Sequence, residues 1–146
     1  MREKRRLLTP RQQKIAGENI AKQLSTFPPF CNSKRIAFYI AHDGEIDPGF
    51  AMGIAEAAGK ECYLPILHPL KQNRLYFARH SNADFLSINR YGIKEPLLRK
   101  AKVIPAFAID LILLPLVAFD RSCNTLGMVG WFTYRTLQLH QPCTKL

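Results

Sequence analysis

Hydrophobic residues in the first part of the chain follow a helical spacing. Ala16, Ile20 and Leu24 recur at every fourth position, which places them on one face of an α-helix. Thr9-Pro10-Arg11-Gln12 lies just before them: threonine can cap a helix, proline suits its first turn, and glutamine completes a capping box. The pattern therefore predicts a helix that begins there and ends before Pro28-Pro29.

Apolar runs of strand length follow. Arg35–Ala41 and Glu61–Pro65 are such runs, and the segment between them opens with Asp47-Pro48 and closes at Gly59, as a capped helix does. A strand, a helix and a strand within about thirty residues form a βαβ unit. We therefore expect these two strands to pair in parallel through a right-handed crossover.

Two later segments complete the predicted sheet. Arg74–His80 alternates between apolar and polar residues, which suits an edge strand or an antiparallel strand. Leu111–Val117 is apolar on both faces, as expected of a central strand covered by helices on both sides. The chain is thus predicted to be α/β, with a single three-layer domain over residues 1–146 and a mostly parallel sheet.

The charge of the chain bears on its partners. Its 146 residues suit one domain, and 21 Lys and Arg against 11 Asp and Glu leave a net charge of +10. This surplus indicates an anionic partner, which could be nucleic acid, a membrane surface or a small polyanion. A surface that is merely basic is an equally good interpretation.

Neither targeting nor a membrane span is predicted. The N-terminus MREKRRLLTP has no apolar stretch behind it, so it is not a signal peptide. The longest apolar run, Leu111–Phe119, is interrupted by Pro115 and falls far short of the roughly 20 residues that a span needs. The four cysteines are scattered without a CxxC pair, which favours reduced thiols in a cytoplasmic protein.

The first candidate site follows the first predicted strand. In open parallel sheets, ligands bind beyond the carboxyl ends of the strands. His42–Asp47 lies there, and its three carboxylates and one histidine could bind a metal or the N–H groups of a heterocycle. For Asp47, capping of the next helix is the better interpretation. For Glu45, a ligand-binding role and a plain turn role stay equally open.

The second candidate site is Asp120–Tyr134, after the run Leu111–Phe119. A loop that leads into a helix points backbone N–H groups at an anion, and glycines let a phosphate approach the backbone. Gly127 and Gly130 could serve that purpose. On their own, two glycines at this spacing fit an ordinary turn better.

Taken together, these segments resemble the 5-formyltetrahydrofolate cyclo-ligase family (methenyltetrahydrofolate synthetases). The resemblance runs from near Arg2 to about Leu137. The stretches that carry it are RRLLTPRQQ, KRIAFYIAHDGEID, GKECYLPIL, RYGIKEP and IDLILLPLVAFD followed by LGM. Each stretch alone is a weak signal, but their shared order and spacing are fairly specific.

The resemblance implies an ATP-dependent conversion of 5-formyltetrahydrofolate to 5,10-methenyltetrahydrofolate, with ATP and Mg²⁺ as cofactors. The γ-phosphate of ATP passes to the formyl oxygen on N5, N10 attacks the activated carbon, and phosphate leaves. A reduced folate and ATP are both anionic, so they account for the basic charge without nucleic acid or a membrane. The protein is then expected to be a cytoplasmic monomer with small-molecule ligands.

The resemblance also implies roles for individual residues. Glu45 would accept hydrogen bonds from the pterin, and Ile40 would pack against the folate. Tyr91 takes the place of an aromatic residue near the folate, although a partly buried loop aromatic is an equally good interpretation. The residues that match the nucleotide loop are Leu126, Gly127, Met128, Gly130 and Phe132. Of these, Met128, Gly130 and Phe132 would also contact the substrate; no catalytic residue or metal ligand is assigned.

The nucleotide loop also departs from the family pattern N-R-L-G-x-G-x-G-(Y/F)-Y-D-R. Thr125 replaces an arginine, and Val129 and Trp131 replace glycines. If the positions of these two glycines need a positive φ, each replacement costs roughly 1–2 kcal/mol of backbone strain. Tyr134 replaces the aspartate that would help to hold Mg²⁺. These departures favour a second hypothesis, a catalytically inactive or truncated remnant of the family that binds folate at most. A basic nucleic-acid-binding module is the third.

The C-terminal end differs as well. The family continues beyond the position of Leu146 with further strands and a further metal-binding carboxylate. We therefore expect the sheet of this chain to lack those C-terminal strands.

Overall fold

The computed structural model describes residues 2–67, 75–81, 84–88, 94–96, 102–116, 118–119 and 125–126. Within these residues the helices are α1 (Arg2–Arg6), α2 (Pro10–Leu24), α3 (Pro28–Asn32) and α4 (Gly49–Ala57). The strands are β1 (Arg35–Ala37), β2 (Glu61–Leu67), β3 (Leu75–Arg79), β4 (Leu86–Ile88), β5 (Lys94–Pro96), β6 (Val103–Ile104), β7 (Leu111–Ile112), β8 (Ala118–Phe119) and β9 (Thr125–Leu126). A 3₁₀ turn spans Ala106–Ala108.

The main sheet has five strands in the order β6-β3-β2-β1-β7. Strand β1 pairs in parallel with both β2 and β7, so three neighbouring strands run in one direction. Strand β3 pairs antiparallel with β2 and with β6. The predicted α/β class with a largely parallel sheet is confirmed, because β3 alone among these five strands runs in the opposite direction. Two small antiparallel ladders, β4-β5 and β8-β9, accompany it.

The predicted βαβ unit is confirmed. Strand β1 leads through α4 into β2, and Ile36 is in register with Cys62. Helix α4 ends at Ala57, and Gly59 follows its cap with φ 73°, a left-handed conformation that only glycine reaches without strain. The glycine signal in the sequence therefore located the end of this helix.

Helix α2 begins as the sequence predicts. The Thr9 hydroxyl accepts from the Gln12 backbone N–H (3.3 Å), and Gln12 Oε1 accepts from the Thr9 backbone N–H (2.9 Å). This reciprocal pair is the predicted capping box. The helix ends at Leu24, before Pro28.

The segment 111–117 differs from its prediction as a central strand. Of its described residues, only Leu111–Ile112 form a strand, and β7 is the last strand of the sheet order in the described part of the chain. Both of its faces are nevertheless covered, because Leu111 and Leu113 pack against one core cluster and Ile112 against the other. Packing on both sides explains the apolar pattern, which does not reveal a strand's place in the sheet.

For Arg74–His80, the antiparallel prediction is confirmed and the edge prediction is wrong. Strand β3 pairs with β2 on one side and with β6 on the other. The partner on the outer side, β6, is only two residues long. A strand as short as this gives little periodic signal in the sequence.

The sheet separates two hydrophobic clusters. The larger lies on the side of α2 and α4 and contains Phe30, Ile36, Phe38 and Cys62 among its buried residues. The smaller lies on the opposite face and consists of Ala37, Tyr63, Phe77 and Ala106. Neighbouring residues of β1 thus point into different clusters, as expected of a strand buried on both faces.

Candidate functional site

The segment 38–48, here called the β1–α4 loop, leaves the carboxyl end of β1. Two successive residues of it have left-handed backbone angles, Asp43 with φ 53° and Gly44 with φ 77°. The Glu45 backbone N–H donates to the His42 carbonyl (3.1 Å) and closes the turn. Aspartate tolerates this conformation better than most residues but still at a cost, so other contacts must stabilise the turn.

Two arginines of α1 hold Asp43. Arg5 Nε donates to the Asp43 carbonyl (3.0 Å), and Arg5 Nη2 donates to its carboxylate (3.3 Å). Arg6 contacts both carboxylate oxygens, with Nη2 at 2.9 Å from Oδ2. The hydrogen bond from Arg6 is the main cause that lowers the pKa of Asp43. These charge-assisted bonds fix the turn to the N-terminal helix.

Gly44 allows the loop to approach α1 closely. A Cβ atom at this position would lie 3.1 Å from the Arg5 carbonyl oxygen. Glycine is therefore favoured at this position for two reasons, the positive φ and the close approach of the Arg5 carbonyl. This explains the glycine within the DGE sequence, which the sequence pattern alone did not.

Glu45 points back towards α1. Its Oε2 accepts from the His42 backbone N–H (3.1 Å), and its Oε1 lies 3.6 Å from Arg5 Nη1. Its side chain is 20% exposed. A carboxylate can accept about four hydrogen bonds, so these contacts leave capacity for further donors. Glu45 is thus fixed in place and still able to accept N–H groups from a ligand.

Asp47 and Tyr39 complete the loop in structural roles. Asp47 Oδ1 accepts from the Gly49 backbone N–H (2.9 Å) at the start of α4, a helix-starting contact of the kind favoured for Asp47, although Pro48 and not Asp47 is the N-cap residue. The Tyr39 hydroxyl donates to the Ile46 carbonyl (2.6 Å). Burial raises the pKa of Tyr39 to about 12, so its hydroxyl remains a donor at neutral pH.

A cavity of about 490 Å³ lies beside the loop. It has apolar walls and several polar side chains, a combination typical of small-molecule sites. Ile40 lines it, whereas Glu45 is not among its lining residues. Residues from several distant parts of the chain meet there, and they include Ile40, His42, Asp47, Met52, His80 and Lys94.

A second cavity, of about 420 Å³, lies on the α2 side of the same loop. Its lining includes Ile20, Leu24, Phe27 and Leu113 and has no charged side chain among the described residues. A ligand with polar and charged groups therefore suits the first cavity better, because Lys94 and the carboxylates of Asp47 and Asp84 line it.

His80 is a cavity residue that the sequence did not single out. Its side chain is 5% exposed, and among the described residues its Nδ1 has no hydrogen-bond partner. Asp84 Oδ2 is 3.9 Å away. Burial is the main cause that lowers the pKa of His80, which favours a neutral imidazole. The available signal was its position one residue beyond β3, in step with the buried Ala78.

The remaining predicted site residues fall largely outside the described residues. Of the nucleotide loop, Leu126 belongs to β9 and is in register with Ala118. Residues outside the described ranges are Tyr91, Gly127, Met128, Gly130 and Phe132. Within those ranges no group of three or more His, Cys, Asp or Glu could hold a metal. None of the described helices is long and apolar enough to cross a membrane.

Comparison with known proteins addresses the whole chain. A family model described as the 5-formyltetrahydrofolate cyclo-ligase family matches residues 1–145. The 5-formyltetrahydrofolate cyclo-ligase of Escherichia coli is 39% identical over 138 residues, which are 94% of this chain and 76% of the relative. The corresponding protein of Haemophilus influenzae is 37% identical over 131 residues, which are 90% of this chain and 70% of the relative.

Solved structures agree with this result. The structure of Aquifex aeolicus 5,10-methenyltetrahydrofolate synthetase matches with a TM-score of 0.74 and 30% identity, covering 94% of this chain and 68% of that one. The synthetase of Mycoplasma pneumoniae shares the fold, with a TM-score of 0.67 and 17% identity over 99% of this chain and 76% of that one. The family model matches nearly all residues of the chain, and both relatives are more than 30% identical to it. The chain therefore belongs to the 5-formyltetrahydrofolate cyclo-ligase family.

Proposed function

We propose that this protein converts 5-formyltetrahydrofolate to 5,10-methenyltetrahydrofolate with ATP as the second substrate. The observation that carries the proposal is the family match over residues 1–145. The cavity beside the β1–α4 loop supports it, because it lies at the carboxyl end of β1, where open α/β sheets bind ligands. Its volume and its mixed apolar and polar lining suit a heterocyclic ligand.

The proposed reaction has two steps. The γ-phosphoryl group of ATP moves to the formyl oxygen on N5, and ADP forms. N10 then attacks the formyl carbon, its proton is lost, and the carbon–oxygen bond breaks to release phosphate. The protein's main task in such a reaction is to hold the two substrates in a reactive arrangement.

The described residues have the following proposed roles. Ile40 packs against the folate from the cavity wall, and Glu45 accepts N–H groups of the pterin with the oxygen capacity that Arg5 and His42 leave open. Other folate contacts proposed by resemblance are Tyr91, Met128, Gly130 and Phe132. For ATP they are Leu126, Gly127, Met128, Gly130 and Phe132.

The charge of the protein fits these ligands. A reduced folate and ATP are both anions, and a net charge of +10 attracts them without nucleic acid or a membrane. The proposal accordingly keeps the protein a cytoplasmic monomer with small-molecule ligands.

The Mg²⁺ expected for the family fits this chain less well. Tyr134 stands where the family's nucleotide loop has an aspartate, and a neutral phenol is a poor ligand for so hard a cation. No protein ligand of Mg²⁺ is therefore assigned.

An inactive folate-binding protein is the second candidate function. Thr125, Val129 and Trp131 remove an arginine and two glycines from the nucleotide loop, which would weaken binding of ATP more than binding of folate. A nucleic-acid-binding module is a weaker third candidate, whose affinity would fall steeply with salt.

Two measurements on the purified protein test the proposal. The first follows absorbance of the methenyl product with 5-formyltetrahydrofolate and Mg-ATP, and the second measures folate binding by calorimetry without ATP. Turnover supports the ligase, and binding without turnover supports the inactive form. A folded protein with neither turnover nor folate binding overturns both.

A matched pair of variants then tests the site. Glu45→Gln removes the carboxylate charge and should weaken folate binding by about tenfold or more, the loss expected for one charge-assisted hydrogen bond. Glu18→Gln makes the same change on the exposed face of α2 and should leave binding unchanged. Equal affinities for the two variants would exclude Glu45 from the folate site.

A further inference from the structure

His80 presents an unpaired buried nitrogen in the wall of a ligand-sized cavity. The residue is 6% exposed and lines the same cavity as Ile40. It is held in place through its backbone, whose N–H donates to the Cys62 carbonyl (2.9 Å). Its Nδ1 has no hydrogen-bond partner in the described part of the chain.

A buried polar atom without a partner is unusual. The great majority of such atoms in proteins are hydrogen-bonded, because leaving one unsatisfied destabilises the fold. The distance of 3.9 Å between Nδ1 and Asp84 Oδ2 is too long for a hydrogen bond. Burial lowers the pKa of His80, so the ring is neutral near pH 7 and offers one donor and one acceptor nitrogen.

The space between His80 and Asp84 suits a hydrogen-bond donor. Asp84 also lines the cavity, and its carboxylate can only accept hydrogen bonds. An N–H or NH₂ group placed between Asp84 Oδ2 and His80 Nδ1 would donate to the carboxylate and complete the contacts of the imidazole. A reduced folate carries several such N–H groups, whereas ATP carries a single amino group, on its adenine, and none on its phosphates.

We propose that His80 is a substrate-binding residue of this cavity, and that its Nδ1 accepts a hydrogen bond from an N–H group of the reduced folate. The inference rests on the proposed function for the identity of the ligand. It adds a contact from the residue that follows β3 to those proposed for the β1–α4 loop, so that the folate is held from two sides of the cavity.

Three substitutions distinguish a binding role of Nδ1 from one of Nε2. His80→Asn keeps a polar atom near the position of Nδ1, His80→Gln keeps one near Nε2, and His80→Leu removes both at similar volume. We expect His80→Leu and His80→Gln to weaken binding of 5-formyltetrahydrofolate by about tenfold, and His80→Asn by less than about threefold. Calorimetry without ATP measures all three affinities.

The stability of the free protein supplies a second readout. Because His80→Leu removes an unsatisfied polar atom, its Tm without ligand should stay unchanged or rise by about 2–4 °C. Lower affinity together with equal or higher Tm is the signature of a ligand-binding residue. A histidine with only a structural role would lower Tm on replacement.

The outcomes distinguish this inference from the proposed function. If the wild-type protein binds no 5-formyltetrahydrofolate, both fail. If the wild-type protein and His80→Leu bind it equally, or if His80→Leu lowers Tm, or if it weakens ATP binding alone, only the His80 inference is overturned. Gln23→Leu, in the second cavity, is the control and should leave the affinity unchanged.

Discussion

At the scale of single residues, the β1–α4 loop combines a strained backbone with strong local contacts. Asp43 adopts φ 53°, which costs a non-glycine residue roughly 1–2 kcal/mol. Arg5 and Arg6 offset this cost with hydrogen bonds to its carbonyl and carboxylate. A loop that carries such strain next to a cavity is typical of a binding site, where the surrounding contacts hold a side chain in a fixed position.

Gly44→Ala tests how tightly the loop packs on α1. The substitution adds the cost of a positive φ, about 1–2 kcal/mol, and places a Cβ atom 3.1 Å from the Arg5 carbonyl oxygen. Gly59→Ala is a matched control, because its φ is 73° and no atom lies within 4 Å of its Cβ position. Urea unfolding should show a larger loss of stability for Gly44→Ala. Equal losses would contradict the close packing.

These residue contacts show the limit of prediction from sequence. The carboxylates of the loop could be found because they directly follow a recognisable strand. The pairing of Asp43 with Arg5 and Arg6 joins residues 37 to 38 positions apart, and no local pattern encodes such a distance. His80 was likewise missed, because the local sequence does not distinguish it from any other polar residue at the end of a strand.

At the scale of elements, local signals predicted the longer elements and missed the short ones. The missed elements are α1, α3, β4, β5, β6, β8 and β9. The capping box of α2, the glycine after α4 and the parallel pairing of β1 with β2 all follow from short-range chemistry. The position of β7 and the pairing of β3 with β6 depend on contacts between distant segments. Periodicity reports which faces of a strand are buried, and it does not report which strand lies alongside.

Thr9→Ala should destabilise the protein by about 1 kcal/mol, because it removes one half of the capping box of α2. Thr26→Ala is the control. Thr26 lies beyond the end of the same helix, where its hydroxyl donates to the Gln23 carbonyl of the last turn, and it caps no N-terminus. Thermal or urea unfolding of both variants makes the comparison. A loss for Thr26→Ala as large as that for Thr9→Ala would argue against the capping role.

Asp110 connects the starts of β1 and β7 and should give the protein an acid-sensitive component of stability. The Arg35 backbone N–H donates to its carboxylate (2.7 Å), as does that of Lys34 (3.0 Å), and these bonds lower the pKa of Asp110 below its usual 3.8. Because the pKa is lower in the folded state, this stabilisation is complete above the unfolded value and is lost as pH falls through the folded value.

Asp110→Asn measures that component. We expect the variant to be less stable than the wild-type protein at pH 6, and this difference to shrink as pH falls below the unfolded value of 3.8 and the native carboxylate becomes protonated. Urea unfolding at several pH values provides the data. A difference independent of pH would mean that the ionised form of Asp110 is not the one that stabilises.

At the scale of the whole molecule, the net charge of +10 favours anionic ligands, and the cavity beside the β1–α4 loop has the volume for a small molecule. Ligand binding to the folded state alone raises the free energy of unfolding. At a 5-formyltetrahydrofolate concentration of about 100 times Kd, the increase should be about 2.7 kcal/mol. Thermal unfolding with and without the ligand measures it, and Glu45→Gln should show a smaller increase at the same concentration. No increase with the wild-type protein would contradict folate binding.

Because Cys62 is buried, its reaction with a thiol reagent can report the opening of this fold. Burial raises the pKa of its thiol to about 12, and its Sγ contacts the carbonyl of Met52, a residue of the cavity wall. With the other three cysteines replaced by serine, an alkylating reagent at neutral pH can react with Cys62 only when the βαβ unit opens. The rate of Cys62 labelling therefore depends on how readily the unit opens, and a ligand that fills the cavity should slow the labelling.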